Sequence, residues 1–333
     1  MSETIAVLGA GSWGTALAVH CARLGHDVRL WARDPLLVDE VAAVGENTRY
    51  LHGVSVVSSI RATARLERAL EQADVVIAAV PSHGMRAVLR DAAPFVSADA
   101  ILVSAAKGIE RDTLERMSQV IAQEISGRRI VVLSGPSFAI EVARGLPTAL
   151  VAASPDRDAA SHIQETLKGP ALRLYASDDV AGVEIGGALK NVIAIAAGVV
   201  EGLQLGHNAM AALITRGLVE ISRLACAEGA RRDTLSGLSG LGDLVLTCTG
   251  DLSRNRQVGI QLGRGRGINE ILAHMRMVAE GVRTTSAALA LGERRGVELP
   301  IAAQMAAVLE GRSSPLDALE TLMLRRQRAE IDQ

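Results

Sequence analysis

Lys190 is the side chain whose type and setting point most directly to chemistry. It lies in the middle of Val183–Glu201, which predicts a helix because it contains no proline and is rich in alanine and other apolar residues. Lysine is almost never fully buried without a partner. Either its methylene groups carry the ammonium out to solvent, or partial withdrawal from water lowers its pKa from about 10.4 toward a value suited to general acid–base catalysis. The helix alone leaves both interpretations open.

An aspartate and a cluster of hydrogen-bond donors lie further along the chain. Asp243 follows the glycine-rich turn 238–242, and it either caps a helix, as aspartate often does, or orients a cation such as Lys190. Ser253, Arg254 and Asn255 combine a hydroxyl, a guanidinium and an amide, which are donors suited to a phosphate group. The alternative is that these three residues form the solvated start of a helix.

A dinucleotide-binding motif lies near the beginning of the sequence. The run Thr4–Leu8 predicts a strand buried on both faces, and it leads into Gly9, Gly11 and Gly14 at G-x-G-x-x-G spacing. A strand before this motif and a helical pattern after it are typical of proteins that hold a pyrophosphate at a helix N-terminus. Gly9 suits the tight turn, Gly11 the close approach of the backbone to the pyrophosphate, and Gly14 the close packing of helix on strand.

The residues after the second predicted strand, Asp27–Trp31, bear on which dinucleotide binds. Arg33 could pair with the 2′-phosphate of NADP, whereas Asp34 could bind the ribose hydroxyls of NAD if the strand runs longer. Asp34 could also simply cap a helix that begins at Pro35. We therefore expect NADPH/NADP as the cofactor, with NADH/NAD as the alternative.

Strands and helical segments alternate through the first half of the chain. Further strands are predicted at 74–80, 100–105, 130–133, 148–153 and 172–175. This alternation predicts an α/β fold with a doubly wound, mostly parallel Rossmann-type sheet. Lys107 directly follows one of these strands, and ligands bind outside the carboxyl ends of such strands. From about Asp178 helical patterns take over, so we expect a dinucleotide-binding domain at 1–180 and an all-helical substrate-binding and catalytic domain at 181–333.

Composition argues against several classes of function. The 333 residues carry a formal net charge of −2, so the chain lacks the basic excess of nucleic-acid-binding proteins. The three cysteines are far apart, which favours reduced thiols in the cytoplasm. The first residues do not resemble a signal peptide, and Glu184 and Lys190 interrupt the apolar run around them, which argues against a membrane span. The seven histidines show no metal-ligand spacing, so no metal is expected.

A series of motifs carries a resemblance to a known family. In chain order they are GAGSWGTALA at 9–18, AAKGIE at 105–110, SGPSFA at 134–139, GGALKNVIAIAAG at 186–198, GLGDLVLTCT at 240–249, LSRN at 252–255 and VAEG at 278–281. The chain resembles the bacterial NAD(P)-dependent glycerol-3-phosphate dehydrogenase family over nearly its full length. The resemblance implies the reversible reduction of dihydroxyacetone phosphate to sn-glycerol 3-phosphate, a precursor of glycerophospholipids, by a homodimer.

The resemblance also implies roles for individual residues. Lys190 matches the catalytic acid/base of the family. Besides the glycines of the motif, the positions that match cofactor contacts are Ser12, Trp13, Arg33, Lys107, Ala139, Arg254, Val278 and Glu280. The positions that match substrate contacts are Lys107, Gly135, Ser137, Lys190, Asp243, Ser253, Arg254 and Asn255. Ser137 stands where the family often has threonine, a change that keeps the hydroxyl.

Two other functions remain as alternatives. The first is a related two-domain β-hydroxyacid dehydrogenase, which would share the dinucleotide domain and a lysine-bearing helix. The donor cluster at 252–256 and Lys107 favour a phosphorylated substrate over a hydroxy acid. The second is a catalytically silent NADP-binding sensor, against which the presence of both Lys190 and Asp243 argues.

Overall fold

The computed structural model describes residues 2–56, 59–275 and 279–326. Val278, one of the positions at which the resemblance implies a cofactor contact, lies outside these described residues.

Within this part of the chain, the N-terminal half forms one sheet of eight strands. The strands are Thr4–Leu8 (β1), Asp27–Trp31 (β2), Ile60–Thr63 (β3), Val75–Ala78 (β4), Ile101–Ser104 (β5), Arg129–Ser134 (β6), Thr148–Ala153 (β7) and Leu172–Ser177 (β8). Their order across the sheet is β3-β2-β1-β4-β5-β6-β7-β8. Neighbouring strands run parallel except β6 and β7, which are antiparallel. The predicted doubly wound, mostly parallel sheet is confirmed.

Helices cover both faces of this sheet. They are Ser12–Arg23 (α1), Pro35–Val44 (α2), Leu66–Leu70 (α3), Ser82–Ala92 (α4), Met117–Glu124 (α5), Ala139–Ala143 (α6) and Arg157–Leu167 (α7). Because both faces are covered, the residues of β1 from Ile5 to Leu8 are fully buried. β1 lies between β2 and β4, so the strand order reverses beside it. The carboxyl end of β1, where Gly9 follows, is therefore the place where sheets of this kind bind ligands.

The C-terminal half is built from helices. They are Val180–Gly202 (α8), Gly206–Ala227 (α9), Arg232–Leu235 (α10), Asp243–Thr249 (α11), Arg254–Gly263 (α12), Ile268–Ala273 (α13), Glu280–Arg295 (α14), Pro300–Leu309 (α15) and Pro315–Met323 (α16). The sheet ends at Ser177 and α8 begins at Val180, so the change from strands to helices falls where the sequence pattern changes.

Helix α8 forms the centre of the helical half. A helix that is apolar all round belongs in a protein core, and the residues of α8 from Gly182 to Val200 are all buried. Gly198 lets α12 cross it closely, since a Cβ at that position would lie 2.0 Å from the carbonyl oxygen of Arg256. Helix α8 is long and apolar enough to cross a membrane. Its most apolar stretch of 18 residues is nevertheless entirely buried inside the protein, as core helices are.

A buried carboxylate ties α8 to the sheet domain. Glu184 accepts hydrogen bonds from the backbone N–H of Ser118 (2.8 Å) and from its hydroxyl (2.6 Å). It also accepts one from the guanidinium of Arg116 (2.6 Å). Ser118 lies in the first turn of α5, where a negative charge is favourable. These contacts fix the orientation of α8 relative to the sheet.

The structure refines several predicted boundaries. The strands at 4–8, 27–31 and 148–153 have the predicted bounds, whereas β3 was not predicted. Helix α8 begins at Val180, three residues before the prediction, because Asp179 caps it by accepting a hydrogen bond from the N–H of Gly182.

Candidate active site

Lys190 is buried and paired. It projects from the middle of α8, and its ammonium donates hydrogen bonds to the Oδ1 atom of Asp243 and to the hydroxyl of Thr247 (2.8 Å). The side chains of Lys190 and Asp243 are 8% and 0% exposed. The interpretation in which the ammonium reaches solvent is therefore wrong. Asp243 and Thr247 are four residues apart on α11, so one turn of that helix presents both acceptors to the lysine.

A second lysine shares the same carboxylate. Lys107 lies just beyond the carboxyl end of β5, and its ammonium donates to Oδ2 of Asp243 (2.7 Å) and to the carbonyl of Gly135 (2.8 Å). Asp243 thus holds one lysine with each carboxylate oxygen. The alternative in which Asp243 only caps a helix is wrong, because Gly242 occupies the N-cap position of α11.

A glycine on α8 makes this close approach possible. A Cβ at Gly187 would lie 2.6 Å from the hydroxyl oxygen of Ser134 and 3.6 Å from Cγ of Lys107. A side chain at this position would collide with the Ser134 hydroxyl at the end of β6 and would already be in van der Waals contact with the Lys107 stem. Gly187 therefore lets the end of the sheet and the lysine-bearing helix meet at Asp243.

Burial changes the acidity of Lys190. Removal from water lowers its pKa to about 7, with the positive charge of Lys107 acting in the same direction and the negative charge of Asp243 opposing both. Near neutral pH, both the ammonium and the amine are consequently populated. A general acid or base works best when its pKa lies near the operating pH.

The glycine motif after β1 has the shape of a dinucleotide cradle. Gly9 has a φ of +113°, and a Cβ there would lie 2.8 Å from the carbonyl oxygen of Ala79. A Cβ at Gly14 would lie 1.9 Å from the carbonyl oxygen of Gly9, so α1 packs directly on the turn. A Cβ at Gly11 would instead meet nothing within 4 Å, which leaves the N-terminus of α1 open to a phosphate group.

Ser12 and Trp13, the two residues after Gly11, lie beside this cradle. The hydroxyl of Ser12 donates to the backbone carbonyl of Tyr50 (2.6 Å). The indole nitrogen of Trp13 is buried and finds no hydrogen-bond partner among the described residues. An orphaned buried donor beside an open helix N-terminus is what a site shaped for a polar ligand would contain. The residues present therefore fit NAD(P).

Asp34 is engaged by protein groups, whereas Arg33 points toward another helix. One carboxylate oxygen of Asp34 caps α2 by accepting from the N–H of Leu36 (3.0 Å), and the other pairs with Arg49 (2.8 Å). Arg33 points toward the start of α4, with its Nη2 atom 3.7 Å from the place where a Cβ on Gly84 would stand. The helix-cap interpretation of Asp34 is confirmed.

The donor cluster at 253–255 lies beside the lysine helix. The hydroxyl of Ser253 caps α12 by accepting from the N–H of Arg256 (3.2 Å). Asn255 donates to the side-chain oxygen of Asn191 (2.9 Å), the residue after Lys190, and accepts from the N–H of Gly281 (3.0 Å). These bonds join α8, α12 and α14 next to the buried ammonium. Arg254 retains exposed surface at the start of α12.

Glu280 connects the two domains at the first turn of α14. Its carboxylate accepts from the hydroxyl of Ser82 (2.7 Å) and from the N–H of Ser82 (3.3 Å), at the start of α4. Its negative charge also acts on Arg254, where it opposes the effect of burial, which lowers the pKa of that guanidinium. Glu280 and Arg254 therefore belong to one electrostatic neighbourhood.

The turn after β6 supplies the remaining residues. Gly135 has a φ of +132°, and its carbonyl accepts from both Lys107 and the hydroxyl of Ser137 (3.0 Å). Ala139 begins α6 just beyond them. The turn thus holds the Lys107 ammonium in place together with Asp243.

Three polar residues of the site were not predicted from sequence. Thr247 accepts from Lys190, Asn191 accepts from Asn255, and Ser82 donates to Glu280. The four-residue spacing of Asp243 and Thr247 was a usable signal, because it places both on one helical face. Ser82 had no usable sequence signal, since its partner is 198 residues away.

Among the residues that the structure describes, no group of three or more His, Cys, Asp or Glu side chains could hold a metal ion.

The fold and this site together define a class of protein. A Rossmann-type domain with an open glycine cradle, followed by helices that bring a buried lysine to the end of its sheet, is the architecture of NAD(P)-dependent two-domain oxidoreductases. Family models narrow this class. Residues 4–160 match the N-terminal part of NAD-dependent glycerol-3-phosphate dehydrogenase, and residues 179–320 match its C-terminal part. The chain belongs to the NAD-dependent glycerol-3-phosphate dehydrogenase family.

Individual relatives agree with this assignment. The chain is 52% identical over 328 residues to a glycerol-3-phosphate dehydrogenase (NAD(P)+) of Nitratidesulfovibrio vulgaris strain DP4, covering 98% of this chain and 99% of the relative. It is 51% identical over 332 residues to the protein of the same name from Koribacter versatilis, covering 98% of each chain. A crystal structure of glycerol-3-phosphate dehydrogenase from Coxiella burnetii superposes with a TM-score of 0.94 at 40% identity, covering 97% of this chain and 99% of that one.

Proposed function

We propose that this protein catalyses the reversible, NADPH-dependent reduction of dihydroxyacetone phosphate to sn-glycerol 3-phosphate, with Lys190 as the proton donor. The observation that carries the proposal is the buried Lys190 ammonium, held by Asp243 and Thr247 and with its pKa lowered to about 7. A cation in that position is suited to an oxygen atom that becomes negative during reduction of a carbonyl group. Membership of the family supports the identity of the substrate.

The protein's own groups account for the proton. Bound NADPH supplies the hydride to the carbonyl carbon of the substrate. Lys190 stabilises the negative charge that develops on the carbonyl oxygen and gives that oxygen a proton, leaving a neutral amine. In the reverse direction the amine of Lys190 takes the hydroxyl proton. Asp243 orients the ammonium, and Lys107 keeps the second carboxylate oxygen occupied so that Asp243 cannot turn away.

The start of α12 is the proposed phosphate site. Arg254 offers a guanidinium, which pairs well with phosphate, at the first position of that helix, where the helix dipole also favours an anion. Asn255 links this turn to Asn191 beside Lys190, which places the proposed phosphate site next to the lysine-bearing helix. Ser253, Lys107, Gly135 and Ser137 complete the proposed substrate contacts.

NADPH is the proposed preferred cofactor. Both carboxylate oxygens of Asp34 are already engaged, with Leu36 and Arg49, so this aspartate is poorly placed to bind ribose hydroxyls. Arg33 is exposed beside it and carries the charge that a 2′-phosphate requires. Gly9, Gly11, Ser12, Trp13 and Gly14 would hold the pyrophosphate, and Ala139, Val278 and Glu280 are proposed as further cofactor contacts.

A homodimer in the cytoplasm, serving glycerophospholipid synthesis, is the proposed setting. The dimer is supported by the exposed apolar side chains of Leu316 and Met323 on α16, which are 60% and 75% exposed. We likewise propose that the domains divide at residue 180, where α8 begins.

A spectrophotometric assay tests the proposed function. Purified protein should oxidise NADPH when dihydroxyacetone phosphate is added, and it should do so much more slowly with unphosphorylated β-keto acids or with dihydroxyacetone. Faster turnover of a keto acid would favour the β-hydroxyacid dehydrogenase. Binding of NADPH without its consumption by any of these substrates would favour the silent sensor.

A further inference from the structure

Arg283 lies one turn along α14 from Glu280, so the two side chains project from the same face of that helix. Glu280 is anchored across the domain boundary by two hydrogen bonds from Ser82, at 2.7 and 3.3 Å. This anchor holds the first turn of α14 against the first turn of α4. Arg283 therefore belongs to the helical domain but stands at the edge of the nucleotide domain.

Arg33 reaches the same turn of α4 from the sheet side. Its Nη2 atom lies 3.7 Å from the place where a Cβ on Gly84 would stand. His83, between Ser82 and Gly84, is close enough to respond to both arginines. Burial lowers its pKa, and the positive charges of Arg283 and Arg33 lower it further, while Glu280 opposes them. The start of α4 thus lies near two guanidinium groups that come from different domains.

The charges around this turn do not balance. Arg33 and Arg283 are both exposed, and within the described residues neither side chain forms an ion pair or a hydrogen bond. Glu280 also acts on His83, but its carboxylate oxygens already accept hydrogen bonds from Ser82. Two arginines without such partners near the start of one helix form a site for an anion with more than one negative charge.

The position of the site indicates which phosphate group of the cofactor or the substrate would bind there. The pyrophosphate is accounted for by the glycine turn and the N-terminus of α1, and the substrate phosphate by the start of α12 beside Lys190. Arg33 follows β2, and the residues at the end of that strand face the 2′ position of the adenosine ribose in folds of this kind.

We propose that Arg283 is a second binding residue for the 2′-phosphate of NADP, acting together with Arg33 at the start of α4. The proposal rests on the NADP-dependent function proposed above and adds that the helical domain itself distinguishes NADP from NAD. Because Arg33 belongs to the sheet domain and Arg283 to α14, the 2′-phosphate would also link the two domains when the cofactor binds.

Steady-state kinetics with both cofactors tests this proposal. Arg283→Gln should raise the KM for NADPH about tenfold, the effect expected when a charge-assisted hydrogen bond is lost. The KM for NADH and the KM for dihydroxyacetone phosphate should stay within about twofold of the wild-type values. Arg283→Lys should recover part of the loss. Arg294→Gln is the matched control, because Arg294 lies near the other end of α14, close to Glu228, and should leave all three constants unchanged.

Two kinetic results would overturn the proposal. An unchanged KM for NADPH in Arg283→Gln would remove Arg283 from the site. Equal increases in the KM values for NADPH and NADH would show that Arg283 supports the structure of the cleft without contacting the phosphate.

A binding measurement separates this proposal from the proposed function. Calorimetry should show that the wild-type protein binds adenosine 2′,5′-bisphosphate more tightly than adenosine 5′-monophosphate, and that Arg283→Gln loses most of the difference. This readout needs no turnover, so it remains decisive even if dihydroxyacetone phosphate is not reduced. Equal affinity of the wild-type protein for the two nucleotides, or a preference that survives in Arg283→Gln, would contradict the assignment.

Discussion

Lys190 donates a hydrogen bond to the carboxylate of Asp243 in a region from which water is almost excluded, with the two side chains 8% and 0% exposed. The pair connects α8 to α11 across 53 residues of sequence. Removing one partner of a buried ion pair leaves an uncompensated charge, which typically costs about 3–5 kcal/mol. The pair is therefore a structural link, and the burial that surrounds it lowers the pKa of Lys190 to about 7 against the opposing charge of Asp243.

The pH dependence of the two reaction directions should be opposite. Reduction requires the ammonium of Lys190, so its kcat should fall as pH rises through about 7. Oxidation of glycerol 3-phosphate requires the amine, so its kcat should fall as pH drops through the same value. Rates measured in both directions between pH 5.5 and 9.5, with stability checked at each end, provide the test. A reduction rate that stays constant up to pH 9 would show that Lys190 is not the proton donor.

Asp243→Asn should move the reduction profile toward lower pH. The negative charge of Asp243 raises the pKa of Lys190, so its removal should lower that pKa further below its ordinary value. The kcat should also fall by at least about tenfold, because the ammonium loses the group that orients it. Asp158→Asn, on the exposed first turn of α7, serves as the control. A profile that shifts toward higher pH would contradict the role assigned to Asp243.

Local patterns predicted most of the elements, and their failures have physical causes. The strand Thr4–Leu8 and the glycine turn after it were visible because a buried parallel strand is continuously apolar and the turn needs glycine. β3 was missed because an edge strand of four residues, IRAT, has one buried side and little apolar character. The antiparallel pairing of β6 with β7 could not be read from either strand alone.

The site was predictable as a set of residues but not as a geometry. Asp243 was recognised as a possible partner of Lys190, yet nothing local indicates that its other oxygen holds Lys107, 136 residues away. Likewise Ser253 and Asn255 appear in sequence as donors for a ligand. In the fold they also cap α12 and join it to α8 and α14. Contacts between distant segments depend on how whole helices pack, which no local pattern encodes.

Arg254→Ala should weaken binding of the phosphorylated substrate specifically. Loss of a charge-assisted pair with phosphate should raise the KM for dihydroxyacetone phosphate about tenfold or more. The much weaker activity toward dihydroxyacetone, which has no phosphate, should change little. Arg264→Ala, at the opposite end of α12, is the matched control. If Arg254→Ala left the KM for dihydroxyacetone phosphate unchanged, Arg254 would have no place in the phosphate site.

Glu220 should make stability depend on pH independently of catalysis. This buried side chain lines an apolar cavity of about 520 Å³ in the helical domain, away from Lys190. It accepts hydrogen bonds from the N–H groups of Ile301 and Ala302 at the start of α15. Burial raises its pKa from 4.5 to about 7, against the opposing effects of these hydrogen bonds and of Arg325 and Arg223. A raised pKa in the folded state gives stability that is present below the unfolded value and is lost as pH rises through about 7.

The Glu220→Gln variant isolates this contribution. The free energy of unfolding of the wild-type protein, relative to the variant, should decrease by about 3 kcal/mol between pH 4.5 and pH 8. Urea unfolding at both pH values measures it, with Glu320→Gln, an exposed glutamate on α16, as the control. A difference between wild type and Glu220→Gln that is the same at both pH values would exclude a titrating Glu220.

The central claim is that Lys190 supplies the proton, and Lys190→Met tests it most directly because methionine keeps the length of the side chain without an ionisable group. We expect kcat for dihydroxyacetone phosphate reduction to fall by about 10²–10⁴-fold, while the Kd for NADPH, measured by fluorescence, stays within a few-fold of the wild-type value. Lys168→Met, which changes an exposed lysine paired with Glu165, should leave both quantities unaltered. A folded Lys190→Met protein that reduces dihydroxyacetone phosphate at near wild-type kcat would contradict the account.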